Sequence, residues 1–352
     1  EGVEVYGLDC LLDAVHLLNG SLGVAPYAHA AEVRPDPAYD VDFADVKGQR
    51  HAVRALEIGA AGGHNVLMSG PPGSGKTMLA RWLPTILPPL TLDEAIQVTR
   101  IYSASGNKGN REGLVWERPF RSPHHTTSYA ALIGGGKTPR PGEVSLAHYG
   151  VLFLDEMPEF DRNVLEALRQ PLEDGVVTVS RVTASMDFPA GCVLVGAMNP
   201  CPCGFKGYPE AKCVGASACD RYAGRISGPL LDRIDLHLQV PRLTPEELSG
   251  QPTGEASSEI RARVARARDL QARRFGRAKV NAQMTPREIK EGLELDAAAT
   301  EFMHRVAHRL NVSARVFDRL LKVARTIADL EESQVVGQKH VAEAVQYRGP
   351  EA

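Results

Sequence analysis

Eight consecutive residues constrain this chain more than any others: Gly70, Pro71, Pro72, Gly73, Ser74, Gly75, Lys76 and Thr77. They read G-x-x-x-x-G-K-T, and their setting matters as much as their spelling. Asn65-Val66-Leu67-Met68 before them is a strand-sized apolar run, and a helical run starts at Met78. A glycine-rich turn between strand and helix lets backbone N–H groups point inward at phosphate oxygens, while the helix N-terminus adds partial positive charge. Lys76 is then placed for the β- and γ-phosphates of a nucleotide, and the Thr77 hydroxyl for Mg²⁺. A chance glycine-rich turn would not account for the matched flanks.

A phosphate cradle binds; hydrolysis also needs a metal anchor and a positioned water. Val151-Leu152-Phe153-Leu154-Asp155-Glu156 is a fully apolar strand ending in two carboxylates. Asp155 is expected to hold the Mg²⁺ and Glu156 to polarise the attacking water. Adjacent acids are usually a solvated loop, but a buried-strand lead-in is not typical of one. A further apolar strand over residues 192–198 ends at Asn199, which either hydrogen-bonds the γ-phosphate or water, or simply starts a turn before Pro200. Arg233, in Leu230-Leu231-Asp232-Arg233-Ile234-Asp235, is either an arginine that reaches a neighbour's nucleotide or half of a local ion pair with Asp232 or Asp235.

The rest of the chain organises around these motifs. Its 352 residues suit two or three domains, and 43% hydrophobic with 24% charged residues is ordinary globular composition. No apolar run approaches the about 20 residues of a membrane span, and Glu1-Gly2-Val3-Glu4 is no signal peptide, so a cytoplasmic protein is expected. A net charge of −3 leaves a nucleic-acid partner open, since such binding follows local patches. Leu11-Leu12-Asp13-Ala14-Val15-His16-Leu17-Leu18 has helical spacing and stops at Asn19-Gly20. Residues 33–42, with Pro35, Pro37 and three Asp, have linker composition. Residues 1–40 are thus expected to be the tail of an N-terminal domain plus its linker. Residues 41–242 alternate strands with longer segments, the pattern of an α/β core with a parallel sheet flanked by helices. After Pro241, Pro245 and Ser249-Gly250-Gln251-Pro252-Thr253-Gly254, residues 243–352 read as a helical lid domain. Phe302, Val306 and Leu310 form one stripe there, and Val316, Leu320, Val323, Ile327 and Leu330 another.

Taken in order, these pieces resemble the AAA+ ATPases: Val46-Lys47-Gly48-Gln49, the phosphate loop, the acidic strand, Asn199, Arg233 and the helical lid. More narrowly, the chain resembles the magnesium-chelatase-like ComM (YifB) family. The resemblance is carried by Arg121-Ser122-Pro123-His124-His125-Thr126-Thr127-Ser128, Gly134-Gly135-Gly136, Pro141-Gly142-Glu143-Val144-Ser145-Leu146-Ala147-His148, Met198-Asn199-Pro200-Cys201-Pro202-Cys203-Gly204 and Ala324-Arg325-Thr326-Ile327-Ala328-Asp329-Leu330. It implies an ATP- and Mg²⁺-using, hexameric ring that moves DNA, promoting branch migration in natural transformation. It also implies that Asn199 is sensor 1, Arg233 the arginine finger and Arg315 sensor 2 at the γ-phosphate. A Lon-like N-terminal domain usually precedes this core in the family. A magnesium-chelatase motor subunit, and a protein-remodelling ATPase that does not move DNA, are the competing functions.

Two further features bear on partners. Residues 175–189 alternate small polar and apolar side chains around Arg181, a hairpin pattern that resembles the pre-sensor 1 hairpin of ring helicases. Arg181, and Lys137 and Arg140 in the stretch 122–147, are the DNA-contact candidates, against an ordinary edge hairpin with exposed cations. The adjacent His124 and His125 do not converge easily on one metal ion. The arginines of residues 259–275 spread around their helix, so a solvated helix is expected rather than a DNA track. Finally Cys201, Cys203, Cys213 and Cys219 crowd into one glycine-rich stretch that suits structural Zn²⁺, with reduced surface thiols as the alternative. Val214-Gly215 stands where many members of the resembled family have a closer second pair, a departure that bears on ligation by Cys219.

Overall fold

Five strands form the centre of the protein, the inner ones apolar on both faces: β1 (Val66–Ser69), β2 (Phe120–Arg121), β3 (Val151–Leu154), β4 (Val193–Met198) and β5 (Leu236–Gln239). All pair in parallel, in the order β2-β3-β4-β1-β5. Val66 and Met68 enter one core and Leu67 the other; Phe153 and Leu154 divide the same way. A parallel sheet covered on both faces needs such unbroken apolar runs. The computed structural model describes residues 4–26, 39–106, 113–136, 139–180, 185–204, 206, 213, 215–251, 253–310 and 312–348.

The chain divides into two units, Glu1–Asp36 and Pro37–Ala352. In the first, a helix covers Leu11–Leu18 and ends at Asn19, as its spacing predicts. In the second, the helices Arg50–Gly62, Lys76–Ile86, Ser257–Phe275 and Ala314–Leu330 contribute Leu56, Leu79, Val264 and Ile327 to one core. The other core takes Val164 and Leu168, together with Val177 and Phe188 from an antiparallel hairpin, Val176–Ser180 with Ser185–Pro189. After β5 the described chain is helical, apart from short turns and one isolated bridge between Leu295 and Val336.

The stripe Val316, Leu320, Val323, Ile327 and Leu330 is buried along its whole length. The stripe before it is buried at Val306, half-buried at Phe302 and exposed at Leu310. The helix Ser257–Phe275 departs in part from the expectation of a solvated face: Arg266 and Arg273 are exposed, but Arg263, Arg268 and Arg274 are spent on neighbouring elements. Arg268 donates to the Ala60 carbonyl at 3.0 and 2.7 Å, and Gln271 to the Ala61 carbonyl at 3.2 Å. These are carbonyls in the last turn of Arg50–Gly62, which that helix cannot satisfy itself. Burial pushes the Arg268 guanidinium down to about 9. Arg263 pairs with Glu57 at 2.6 Å and also with Glu255, and Arg274 pairs with Asp329.

Candidate nucleotide site

The phosphate loop leaves the carboxyl end of β1, and the helix Lys76–Ile86 leaves the loop. Gly73 (φ 75°) and Gly75 (φ 89°) hold left-handed backbone that a side chain would resist, so the loop can turn its amides inward. The buried Lys76 ammonium points into the loop, donating to the carbonyls of Gly70 (2.7 Å) and Pro71 (2.9 Å), with Asn199 Oδ1 at 3.5 Å. Burial pushes this ammonium below its ordinary value, with the charge of Asp155 opposing the shift. Thr77 Oγ1 donates to Asp155 Oδ2 at 2.8 Å. Two hard oxygen donors that close, beside a phosphate cradle, fit Mg²⁺.

Because β1, β3 and β4 are parallel neighbours in register, the residues just beyond their ends share one edge. Leu154 lies beside Gly196, and Ser69 beside Met198. That is how Lys76, Asp155 and Asn199 meet although the chain separates them widely. Ligands at the carboxyl edge of such sheets are the rule. Glu156 turns away from the strand direction with φ 49°, a backbone region that costs a non-glycine residue about 1 kcal/mol or more. Its backbone N–H donates to Asp155 Oδ1 at 2.9 Å, and its side chain stays 57% exposed.

Two residues near this site were not legible as site residues. His125 Nδ1 stands 3.8 Å from Glu156 Oε2, and its ring meets Phe160 edge-on. In the sequence His124 and His125 suggest at most a metal pair, and no local pattern ties them to an acid 31 positions away. Gln49, also at positive φ (51°), donates from Nε2 to the Ser74 carbonyl at 2.5 Å, while its Oε1 is buried without a partner.

Arg233 and Arg315 lie elsewhere. Arg233 pairs with Glu173, not with Asp232 or Asp235, and donates to the Pro229 carbonyl at 2.7 Å; its Nε is buried without a partner. Its own carbonyl accepts from Asn65 Nδ2 at 2.9 Å, which anchors it at the amino end of β1. A four-residue strand is roughly 13 Å long, so β1 stands between Arg233 and the phosphate loop. Arg315, exposed on the first turn of Ala314–Leu330, lines the same cavity of about 900 Å³ as Asn65, Glu173, Arg233, Arg319 and Lys322. No residue of the phosphate loop lines it. The neighbouring Asp235 is buried, which alone would raise its carboxyl, but hydrogen bonding to His64 at 2.9 Å and nearby cations hold it below the usual range.

Among the DNA-contact candidates, Arg140 is exposed and pairs with Gly135 in a two-stranded ladder, Gly134–Gly135 with Arg140–Pro141. A Cβ on Gly134 would sit 3.2 Å from Val179 Cγ2, so this ladder lies beside the strand Val176–Ser180. The expected hairpin is present; Arg181 and Lys137 lie outside the described residues. The four clustered cysteines come together: Cys201, Cys213 and Cys219 have their sulfurs within 4.8 Å of one another, with Cys203 beside them.

A glycine-rich loop between strand and helix, with Asp155 and Asn199 beside it on the carboxyl edge of a β2-β3-β4-β1-β5 sheet and helices after β5, defines a P-loop ATPase of the AAA+ class. The family described as magnesium chelatase, subunit ChlI, matches residues 42–248, and its C-terminal counterpart matches residues 254–348. The chain is 44% identical over 353 residues to the competence protein ComM of Haemophilus influenzae, covering 98% of this chain and 68% of that one. It is 44% identical over 328 residues to YifB of Escherichia coli, covering 91% of this chain and 64% of that one. A magnesium-chelatase 67 kDa subunit of Heliobacterium mobile is 25% identical over 228 residues, 57% of this chain. The chain belongs to the ComM/YifB family of magnesium-chelatase-like AAA+ ATPases, whose members use ATP with Mg²⁺. It spans about two thirds of the length of the ComM and YifB relatives. Among the described residues no helix is long and apolar enough to cross a membrane.

Proposed function

We propose that this chain is the ATP-driven part of a hexameric DNA helicase that promotes branch migration in natural transformation and recombination. The observation that carries the ring is the split of the nucleotide machinery between opposite edges of one sheet. Arg233 is held at the far end of β1 from its own phosphate loop and Arg315 lines the cavity there, so on this reading both serve the loop of a neighbouring copy. Residues 41–242 act as the ATPase core and 243–352 as the lid.

Bound with Mg²⁺, ATP supplies the γ-phosphoryl group; the rest is the work of side chains and amides. The loop amides and Lys76 grip the β- and γ-phosphate oxygens, and Thr77 and Asp155 hold the metal. Glu156 orients and polarises the attacking water, and Asn199, within reach of Lys76, steadies it. Arg233 and Arg315 from the next subunit spread the developing charge. Arg181, Lys137 and Arg140 contact DNA phosphates, which gives a salt-dependent grip. ComM is named for competence, which fits this substrate and a cytoplasmic site of action. A structural zinc at the cysteine cluster completes the cofactors.

Hydrolysis rate measured against protein concentration, with and without branched DNA, tests the reading. A cooperative rise with concentration and stimulation by DNA that fades in salt and in Arg181→Ala are expected. A rate strictly proportional to concentration would remove the ring. Cooperative onset with no response to any DNA would favour a magnesium-chelatase-type or protein-remodelling ATPase.

A further inference from the structure

The thiol cluster is built like the shell of a single ion. Cys201 Sγ is 3.0 Å from Cys203 Sγ and 3.9 Å from Cys213 Sγ; Cys213 Sγ is 3.7 Å from Cys203 Sγ and 3.2 Å from Cys219 Sγ. No pair is a disulfide. Four sulfurs at about 2.3 Å from one zinc sit about 3.8 Å apart, and these separations bracket that edge length. A multi-iron cluster, whose thiolates bind different irons, needs a wider shell. Cys201 and Cys219 are buried and Cys213 is exposed, so the shell is closed inside and reachable from solvent. The Lys206 backbone N–H donates to Cys201 Sγ at 3.2 Å, the kind of contact that orients a metal-bound thiolate.

Three links run from this shell to the nucleotide site. Cys201 lies two residues beyond Asn199. Gly204, at φ 81°, lies so close to the phosphate loop that a Cβ there would be 2.5 Å from Pro72 Cδ. Tyr222, one turn beyond Cys219 on the helix Ala216–Ala223, is buried with its hydroxyl against the Asn199 backbone. We infer that a zinc ion bound by Cys201, Cys203, Cys213 and Cys219 braces the nucleotide site, holding Asn199 and the Pro72 lip in fixed relation. The brace rests on the ATPase reading; the metal site does not.

The test starts with the full chain purified without chelator and its metal counted by plasma mass spectrometry. One zinc per chain is expected, lost in Cys213→Ser, whose exposed side chain makes that change tolerable to the fold, and kept in Cys192→Ser outside the cluster. The chain is then stripped by a chelator under reducing conditions and dialysed, and its affinity for a fluorescent ATP analogue is measured with Mg²⁺. Affinity should fall about 5-fold or more, the lower end of ordinary coupling between sites, with far-ultraviolet dichroism unchanged and recovery on adding Zn²⁺. Absent zinc, or bound iron in its place, overturns the site. Full zinc with unchanged affinity after stripping overturns the brace. A zinc-loaded chain that binds no ATP analogue leaves the metal site standing and sinks the ATPase reading and the brace together.

Discussion

At the carboxyl edge of the sheet, Thr77 meets Asp155 at 2.8 Å and Lys76 meets Asn199 at 3.5 Å beside the phosphate loop. At the amino edge, Arg233, Arg315 and Arg319 share a cavity with Glu173 and Asp235 and meet no part of that loop. The carboxyl edge has a cradle with the Asp155 carboxylate beside it, and its described arginine near the loop, Arg242, reaches the Pro72 carbonyl at 3.5 Å. The amino edge has arginines held by acids but no cradle. The strand between them keeps the two sets of residues apart within one copy. On the ring reading proposed above, such an ATPase is complete where two copies meet.

The comparison can be broken most sharply at Arg233. Arg233→Ala should lower hydrolysis about 10³-fold, and mixing it with Lys76→Ala should restore part of the activity, because one interface then joins two intact edges. A mixture no more active than its components would show that the edges do not work across copies. At the other edge, Glu156→Gln should bind ATP normally and hydrolyse it about 10²-fold or more slowly; near-normal turnover would remove Glu156 from its role. Arg315→Ala should cost less, about 10-fold, since its exposed charge acts through more solvent. A mixture of Arg315→Ala with Arg233→Ala should stay slow, because every interface then carries one amino-edge defect; recovery there would separate the two arginines.

A separate expected effect concerns stability rather than turnover. His148 lines the amino-edge cavity, accepts from the Gly191 N–H at 2.9 Å, and is buried, which pushes its imidazole down to about 4. The unfolded chain binds this proton near pH 6.5, the folded chain only near pH 4. His148 therefore makes stability fall as pH drops from 6.5 to 4, by about 3 kcal/mol in all. Urea unfolding across that range should show a shallower decline in His148→Asn, whose side-chain oxygen can keep the Gly191 bond. An unchanged slope would mean that His148 takes up its proton in the folded state.

The carboxyl edge was largely legible from spelling. The phosphate loop is contiguous, and an apolar run of strand length ending in Asp155 and Glu156 announces both the strand and the acids at its tip. Asn199 was marked by the same logic, and its Oδ1 stands 3.5 Å from Lys76 Nζ. The amino edge was not legible. Arg233 has acids on both sides in the sequence, yet its partner is Glu173, 60 positions away. The arginines of Ser257–Phe275 look solvated on a helical projection because the projection contains no neighbouring helix, and Arg268 is in fact spent on the Ala60 carbonyl.

What the sequence determined by itself is what backbone geometry over a few residues determines: a turn that presents amides, strands buried on both faces, helices with one apolar stripe, and acids placed where a strand stops. Only the tertiary structure decided that Arg233 and Arg315 share one cavity, that β1 bars them from their own loop, that His125 approaches Glu156, and that four thiols close on one point. Those outcomes depend on side chains far apart in the chain, brought together by strand order and helix packing, and neither spacing nor composition encodes which distant partner a charge will meet.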